Sequence, residues 1–202
     1  MSLPAPDPAP VEATSEPPLE PAPKPRNKRR RALVEWGVIL VVALLAALLL
    51  RTFVIQPYFI PSASMEPTLM VGDKVLVNKL SYDLHPIHRG DVIVFKKPPD
   101  DNTPGIKDLI KRVIGLPGES IAGRNGQIYI NGKLLNEPWL PKVDRDTTST
   151  FGPVQIPAGE YFVMGDNRAD SSDSRVFGPI TKSLVVGRAF IKVWPPSRIG
   201  TL

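Results

Sequence analysis

The segment "IYINGKLL" (residues 128–135) carries the strongest short-range folding signal in this 202-residue chain. Its dipeptide Asn131-Gly132 stands between two apolar runs and favours the two-residue turn that joins neighbouring antiparallel strands. Similar runs rich in valine, isoleucine and aromatic residues follow residue 73, each bounded by Gly, Pro, Asn or Asp. They are "KVLVNKL", "DVIVFKK", "LIKRVIG", "EYFVMGDN" and "VVGRAFIKVW". The pattern predicts a mostly β domain of antiparallel strands.

Two polar stretches between these runs are predicted loops, at residues 98–105 and 142–153. The chain contains no cysteine, which excludes disulfides, thiol nucleophiles and thiolate metal sites. The stability of the domain must therefore come from the packing of its core.

The first 55 residues have a different composition from the rest of the chain. Residues 1–25 are rich in proline and cannot bury enough apolar surface to become ordered. Six positive charges follow in "KPRNKRRR" (24–31), and "LVEWGVILVVALLAALLL" (33–50) then spans about 27 Å as a helix. We predict a disordered, proline-rich and basic cytoplasmic tail at 1–31, a single transmembrane helix at 32–55 and an exported β-rich domain at 56–202.

The position of the basic block sets the predicted orientation. Positive residues directly before a membrane span stay in the cytoplasm, which places the β domain on the exported side. A cleavable signal peptide is the alternative, but its apolar region is shorter and ends at small residues. A nucleic-acid-binding arm is a second alternative for the block, whose six charges exceed the formal net charge of +5. Because an apolar segment follows at once, we predict contact with membrane lipid and no nucleic-acid partner.

Histidine and cysteine, two of the residue types that bind metals, are scarce in this chain. His85 and His88 are the only histidines, and Pro86 between them prevents a helix from presenting both on one face. A polar loop is the simpler interpretation, although a Ser-His-Asp triad stays open. The acids of "GDNRADSSDSR" (165–175) lack the glycine and terminal glutamate of an EF-hand. We predict no metal and no cofactor.

A serine can instead be activated by a lysine that burial keeps neutral. In "DLIKRVIG", strand alternation places Leu109, Lys111 and Val113 on one face. Since arginine keeps its proton in proteins, only Lys111 of the pair Lys111-Arg112 could act as a base, and Arg112 would need a carboxylate. The pattern alone leaves open that Lys111 reaches solvent from an edge strand, and other strand lysines are equally eligible.

Four separated stretches resemble the type I signal peptidases, membrane-anchored Ser/Lys proteases of the peptidase S26 family. "PSASMEPTL" (61–69) is similar to the nucleophile box, "GDVIVF" (90–95) to the strand that follows it, "KRVIGLPGE" (111–119) to the lysine box and "GDNRADSSDSR" to the C-terminal box. The order of the boxes and the single anchor before them also match. The resemblance implies a hydrolase that removes N-terminal signal peptides from exported precursor proteins after small residues. The implied location is the plasma membrane, or the thylakoid membrane if the chain is cyanobacterial.

The resemblance also implies roles for individual residues. Ser64 corresponds to the nucleophile and Lys111 to the general base, while the Ser62 hydroxyl and the Ser64 N–H form the oxyanion hole. Ser171 corresponds to the serine that orients the lysine. The structural ion pairs involve Asp166, Arg112, Asp173 and Arg175. The substrate-binding positions are the apolar residues that flank the dyad, namely Tyr58, Ile60, Met65, Leu109 and Ile110.

Two other functions fit parts of the same pattern. A self-cleaving repressor also uses a Ser/Lys pair on a β scaffold, but it has a DNA-binding helical domain in place of an anchor. A non-catalytic, membrane-anchored β module could retain the boxes for structural reasons. Labelling of Ser64 by an acylating probe would separate such a module from an enzyme.

Overall fold

The computed structural model describes residues 28–101, 105–141 and 147–202. Helix α1 spans Lys28–Phe53. It begins before the predicted boundary at residue 32, so the last four basic residues of the block lie in the helix and not in the tail. Lysine and arginine are good helix formers, which explains this extension over residues 28–31. The rest of the predicted tail lies outside the described residues.

Helix α1 is apolar on all sides between Arg30 and Leu48, and its side chains there are exposed. A helix of this kind is typical of a membrane span, because a helix on a protein surface carries a polar face. It is long and apolar enough to cross a bilayer.

The β domain consists of short strands joined by turns. Its strands are β1 (Ile55–Phe59), β2 (Lys74–Asn78), β3 (Val92–Lys96), β4 (Asp108–Gly115), β5 (Ser120–Arg124), β6 (Gln127–Ile130), β7 (Lys133–Leu134), β8 (Phe151–Gln155), β9 (Glu160–Met164), β10 (Ile180–Thr181), β11 (Val185–Trp194) and β12 (Gly200–Thr201). Two single-turn helices accompany them, α2 (Ser81–Leu84) and α3 (Ser174–Phe177). The predicted fold class, a mostly antiparallel β domain after one apolar helix, is confirmed.

Within the described residues the strands form two antiparallel sheets. The larger sheet has the order β1-β2-β11-β3-β4-β9-β10, with β12 paired to β11, and the smaller has the order β7-β6-β5-β8. The predicted hairpin lies in the smaller sheet, where Ile130 pairs with Lys133 across the turn. Asn131 and Gly132 both have positive φ, at 50° and 76°, as that turn requires.

The second predicted loop is partly wrong. Residues 151–153 belong to strand β8, which pairs with β5 through Ser120–Gln155 and Ile121–Val154. Gly152 and Pro153 lie within this strand, and such residues argue against a strand in sequence analysis. Strand β8 lies at the edge of its sheet, the position at which proline is tolerated. Residues 102–104 and 142–146 of the two predicted loops lie outside the described residues.

Strand β4 brings the parts of the core together. Leu109 and Val113 pack in a cluster with Phe95, whereas Ile114 packs against the smaller sheet with Phe162. A further cluster contains Ile60, Met65, Leu69, Val75, Val77, Val92, Val94 and Ala189. The alternation predicted for Leu109 and Val113 is confirmed. The centre of β4, at residues 111 and 112, lies between these apolar groups.

Candidate active site

The loop that follows β1 places the first two serines. Its ends are joined by backbone hydrogen bonds from Ile60 N to Asp73 O (2.9 Å) and from Gly72 N to Ile60 O (2.9 Å). Between them, residues 63–65 form a turn of 3₁₀ helix with Ser64 at its centre. Met65 lies beside Ser64 and is fully buried, so its side chain anchors the turn in the core. The loop is therefore a fixed platform for Ser64.

Lys111 is the buried lysine of the site. It lies in β4, opposite Ile93 of β3, and its side chain is only 3% exposed. The alternative in which this lysine reaches solvent is wrong. Its Nζ donates a hydrogen bond to Ser64 Oγ at 2.6 Å, across 47 residues of sequence.

Burial changes the proton affinity of Lys111. Loss of solvation disfavours the ammonium and lowers the pKa of Lys111 from 10.5 to about 8, although the nearby carboxylates of Asp173, Asp101 and Asp166 oppose this shift. At pH 7, one unit below this value, about a tenth of this lysine is neutral, far more than for a lysine with the ordinary pKa. A neutral amine at hydrogen-bond distance from a serine can accept the hydroxyl proton.

The predicted oxyanion residue Ser62 lies at the exposed side of the same turn. Its Oγ is 3.4 Å from Ser64 Oγ, a long contact in which either hydroxyl could donate. Ser62 is exposed, whereas Ser64 is half-buried. The Ser62 hydroxyl is therefore free to turn towards a bound carbonyl oxygen.

Ser171 lies close to the 3₁₀ turn that carries Ser64, without bonding to Lys111. A Cβ placed on Gly165 would be 2.2 Å from Ser171 Oγ and 2.4 Å from the Ser64 carbonyl oxygen, so both residues press against this glycine. Within the described part of the chain, Ser171 Oγ is buried and makes no hydrogen bond. A buried hydroxyl without a partner is costly and uncommon in native proteins.

Arg112, the neighbour of Lys111, is paired with the carboxylate of Asp166. Its Nε and Nη2 donate to the two oxygens of Asp166 at 2.8 and 2.6 Å, and its Nη1 donates to the Gly90 carbonyl at 2.8 Å. Arg112 is 4% exposed and Asp166 is 0% exposed. The Trp139 ring covers the guanidinium at 5.4 Å. This buried ion pair joins the lysine strand to the C-terminal box.

The second predicted pair, Asp173 and Arg175, supports the same box. Arg175 Nη2 donates to Asp173 Oδ2 at 2.8 Å, and the Gly165 N–H donates to the same oxygen at 2.9 Å. Asp173 also caps α3 by accepting a hydrogen bond from Arg175 N. The hydrogen bond to Asp173 fixes the position of Gly165 beside the 3₁₀ turn that carries Ser64.

Three supporting residues were missed by the sequence reasoning. Thr68 donates to Asp166 Oδ2 at 2.5 Å, and Asn167 donates from its backbone N to Ser64 O (3.1 Å) and from Nδ2 to Ala63 O (3.2 Å). Arg168 makes a fully buried, two-point ion pair with Glu137. Thr68, Asn167 and Arg168 lie inside the boxes, but no local pattern identifies their distant partners.

A shallow apolar cleft of about 40 Å³ lies between the end of β1 and the start of β4. Four of the five predicted substrate-binding residues line it, namely Tyr58, Ile60, Leu109 and Ile110. Met65 is not among the lining residues, because its side chain is fully buried in the core. Tyr58 stays protonated at neutral pH, since burial and the nearby Asp108 raise its pKa.

The candidate triad histidines lie elsewhere on the surface. His85 and His88 are both exposed, in the segment between α2 and β3. The backbone N–H of His88 donates to Asp91 Oδ2 at 2.9 Å. The hydrogen bond to Ser64 Oγ comes from Lys111, in line with the predicted pairing.

A family model and several known proteins match most of this chain. The model of the family "Signal peptidase, peptidase S26" matches residues 33–194. The probable signal peptidase I-2 of Synechocystis sp. is 39% identical over 170 residues, which cover 84% of this chain and 77% of that protein. The signal peptidase I of Leptolyngbya laminosa is 38% identical over 189 residues, covering 92% and 91%.

A crystal structure of a signal peptidase I from Enterococcus faecalis is also similar. It shares 34% identity and covers 52% of this chain and 97% of its own, with a TM-score of 0.45. The family model covers most of the chain, and each of the two cyanobacterial relatives is aligned over more than two thirds of its length. This chain belongs to the signal peptidase family, peptidase S26.

Proposed function

We propose that this signal peptidase family member cleaves the signal peptides of exported precursor proteins after small residues, with Ser64 as nucleophile and Lys111 as general base. The observation that carries the proposal is the 2.6 Å contact between Lys111 Nζ and Ser64 Oγ, made by a lysine that is 3% exposed. A lysine with a pKa of about 8 is neutral often enough to act as a base.

The reaction uses one proton acceptor in two half-reactions. Ser64 Oγ attacks the scissile carbonyl while neutral Lys111 takes the hydroxyl proton, and the resulting ammonium then protonates the leaving amine as the C–N bond breaks. This step leaves an acyl group on Ser64. Lys111, again neutral, removes a proton from water, and the hydroxide attacks the ester. Collapse of the resulting tetrahedral intermediate releases the carboxylic acid, and Lys111 returns its proton to Ser64 Oγ.

Ser62 and the Ser64 N–H stabilise the negative oxygen of the tetrahedral intermediate. The exposed position of the Ser62 hydroxyl at the start of the turn supports this role. Removal of one oxyanion donor typically slows catalysis by about 10²–10³-fold. Loss of the Ser62 hydroxyl therefore slows the enzyme without abolishing its activity.

Ser171 orients the lysine during the reaction. Its buried hydroxyl has no hydrogen-bond partner among the described residues and lies at Gly165, where it is close to the Ser64 carbonyl. In this role the Ser171 hydroxyl accepts a hydrogen bond from the Lys111 ammonium that forms on proton uptake. The pairs Arg112–Asp166 and Asp173–Arg175 hold the strand and the loop that carry these two side chains.

The precursor lies extended beside the first half of β4. On one side residues 108–112 pair with β3, whereas the pairing of β4 with β9 begins only at Arg112. The other edge of residues 108–111 is therefore open to an added strand in the described structure, and such pairing reads the backbone first. The small apolar cleft beside this edge, lined by Tyr58, Ile60, Leu109 and Ile110, accepts only small side chains before the cut.

Membrane attachment brings the enzyme to its substrates. The exposed apolar helix α1 contacts membrane lipid, with its basic N-terminal end on the cytoplasmic side and the β domain on the exported side. A signal peptide inserted in the same membrane presents its cleavage site near the surface.

The test is cleavage of a model precursor with alanine at positions −1 and −3, by the full-length protein in detergent. Wild type is expected to cut after the −1 alanine, whereas Ser64→Ala and Lys111→Met lose nearly all activity and stay folded. The matched control is the double variant His85→Ala/His88→Ala, which keeps its activity. Substantial activity in Lys111→Met, or an inert histidine variant, would show that another group is the base.

A further inference from the structure

A second, polar cavity borders the loop that carries Ser64. It measures about 320 Å³, against about 40 Å³ for the cleft, and the residues that matter here are Glu66, Pro67, Asp166, Asn167 and Arg168. Asn167 donates its backbone N–H to the Ser64 carbonyl at 3.1 Å, so the wall of the cavity touches the nucleophile residue itself.

The loop that carries Ser64 and strand β4 meet the features of the site in the same order along the chain. The apolar cleft comes first, the Ser64–Lys111 pair second and the polar cavity third. Along the nucleophile loop, Ile60 lines the cleft, Ser64 follows, and Glu66 lines the cavity. Along β4, Ile110 lines the cleft, Lys111 follows, and Arg112 binds Asp166 of the cavity wall. A substrate whose acyl part lies in the cleft therefore continues past Ser64 towards the cavity.

Two of the charged side chains in the cavity wall have partners, and the third, Glu66, has none among the described residues. The Asp166 carboxylate is bound by Arg112 and Thr68, and the Arg168 guanidinium is bound by Glu137. The Glu66 side chain is half-buried and makes no hydrogen bond or ion pair within the described residues. An unpaired carboxylate in a partly closed cavity attracts a cation and repels an anion.

We infer that the polar cavity binds the first residues after the cleavage site and that Glu66 makes it favour a cationic side chain over an acidic one there. The inference rests on the proposed function, since it concerns the leaving part of the same precursor. Glu66 would then select the side chains that follow the cleavage site. The apolar cleft separately selects the small side chains that precede it.

The experiment uses a series of model precursors that keep alanine at −1 and −3 and carry Lys, Gln or Glu at +1, +2 or +3. For each full-length enzyme in detergent, kcat/KM is divided by its value for the Gln precursor, so the folded fraction cancels. Wild type is expected to favour Lys over Glu by about two- to five-fold at one position at least, as for a partly solvated charge pair. Glu66→Gln is expected to remove this preference, and Glu66→Lys to invert it.

Glu160→Gln is the matched control, because it removes a carboxylate in β9 that lines neither the cleft nor the cavity. Its Lys-to-Glu ratio is expected to equal that of wild type. If wild type cuts every precursor and Glu66→Gln keeps the same ratio, the inference is overturned while the proposed function stands. If wild type cuts none of the precursors, both fail.

Discussion

Lys111 and Arg112 are adjacent in β4 and almost equally buried, at 3% and 4% exposed. Their surroundings differ, because Arg112 is bound by a carboxylate and Lys111 by a neutral hydroxyl. Arg112 is bound at two points by Asp166 and at a third by the Gly90 carbonyl. Lys111 is held by the hydroxyl of Ser64 at 2.6 Å, and no ion pair is formed by this lysine in the described structure. One strand therefore carries a permanent charge and a removable one side by side.

The contrast follows from the chemistry of the two side chains. A guanidinium cannot lose its proton in a protein, so its burial has to be offset by a carboxylate with matching geometry. An amine can escape the desolvation cost by losing its proton, and the lowered pKa of Lys111 expresses this. The pairing of Arg112 with Asp166 also keeps this carboxylate occupied, so that it does not form an ion pair with Lys111.

Replacement of the lysine gives the largest expected effect on activity. Lys111→Met is expected to lower kcat by about 10⁴-fold or more, since the proposed nucleophile and base would act as a unit. Its free energy of unfolding should equal or exceed that of wild type, because methionine fills a similar volume without the cost of burying an amine. Precursor cleavage and urea unfolding of the same preparation measure both quantities. A loss of several kcal/mol in stability would instead make Lys111 a structural residue.

Removal of the arginine's partner gives the opposite pattern. Asp166→Asn leaves the Arg112 charge buried and unpaired, which is expected to cost about 3–5 kcal/mol in the free energy of unfolding. Glu119→Gln is the matched control. It removes the carboxylate of the more exposed Arg89–Glu119 pair, and it is expected to cost about 1 kcal/mol or less from that pair. Urea unfolding of both variants tests the difference, and equal losses would contradict the view that burial makes Asp166 essential.

The strands and the hairpin were predictable because their signals are local. The alternation in β4 and the Asn131-Gly132 turn depend on neighbouring residues alone, and both are confirmed. Strand β8 escaped prediction because its glycine and proline are poor strand formers, and only its pairing with β5 stabilises it. Helix α1 begins before residue 32 because the basic residues ahead of the apolar run also form helix.

The site required more than local patterns. Alternation made Lys111 one candidate among several lysines, and the resemblance to signal peptidases selected it. The contacts of Asn167 with Ser64 and Ala63 span more than 100 residues, so nothing near Asn167 in the sequence predicts them. Met65 was placed in the substrate pocket because it follows Ser64, but the 3₁₀ turn directs its side chain into the core.

The pH dependence of cleavage distinguishes the removable charge from the permanent one. With neutral Lys111 as the proposed base, kcat/KM is expected to rise about tenfold per pH unit below pH 8 and to level off above it. The carboxylate of Asp101, 3% exposed, favours the ammonium and raises the pKa of Lys111 against the effect of burial. Asp101→Asn should therefore move the midpoint to lower pH. Initial rates between pH 6 and 10 measure the midpoint in both enzymes. A midpoint that stays in place would mean that the Asp101 charge does not reach the reacting amine, and a profile flat across pH 8 would remove Lys111 as the base.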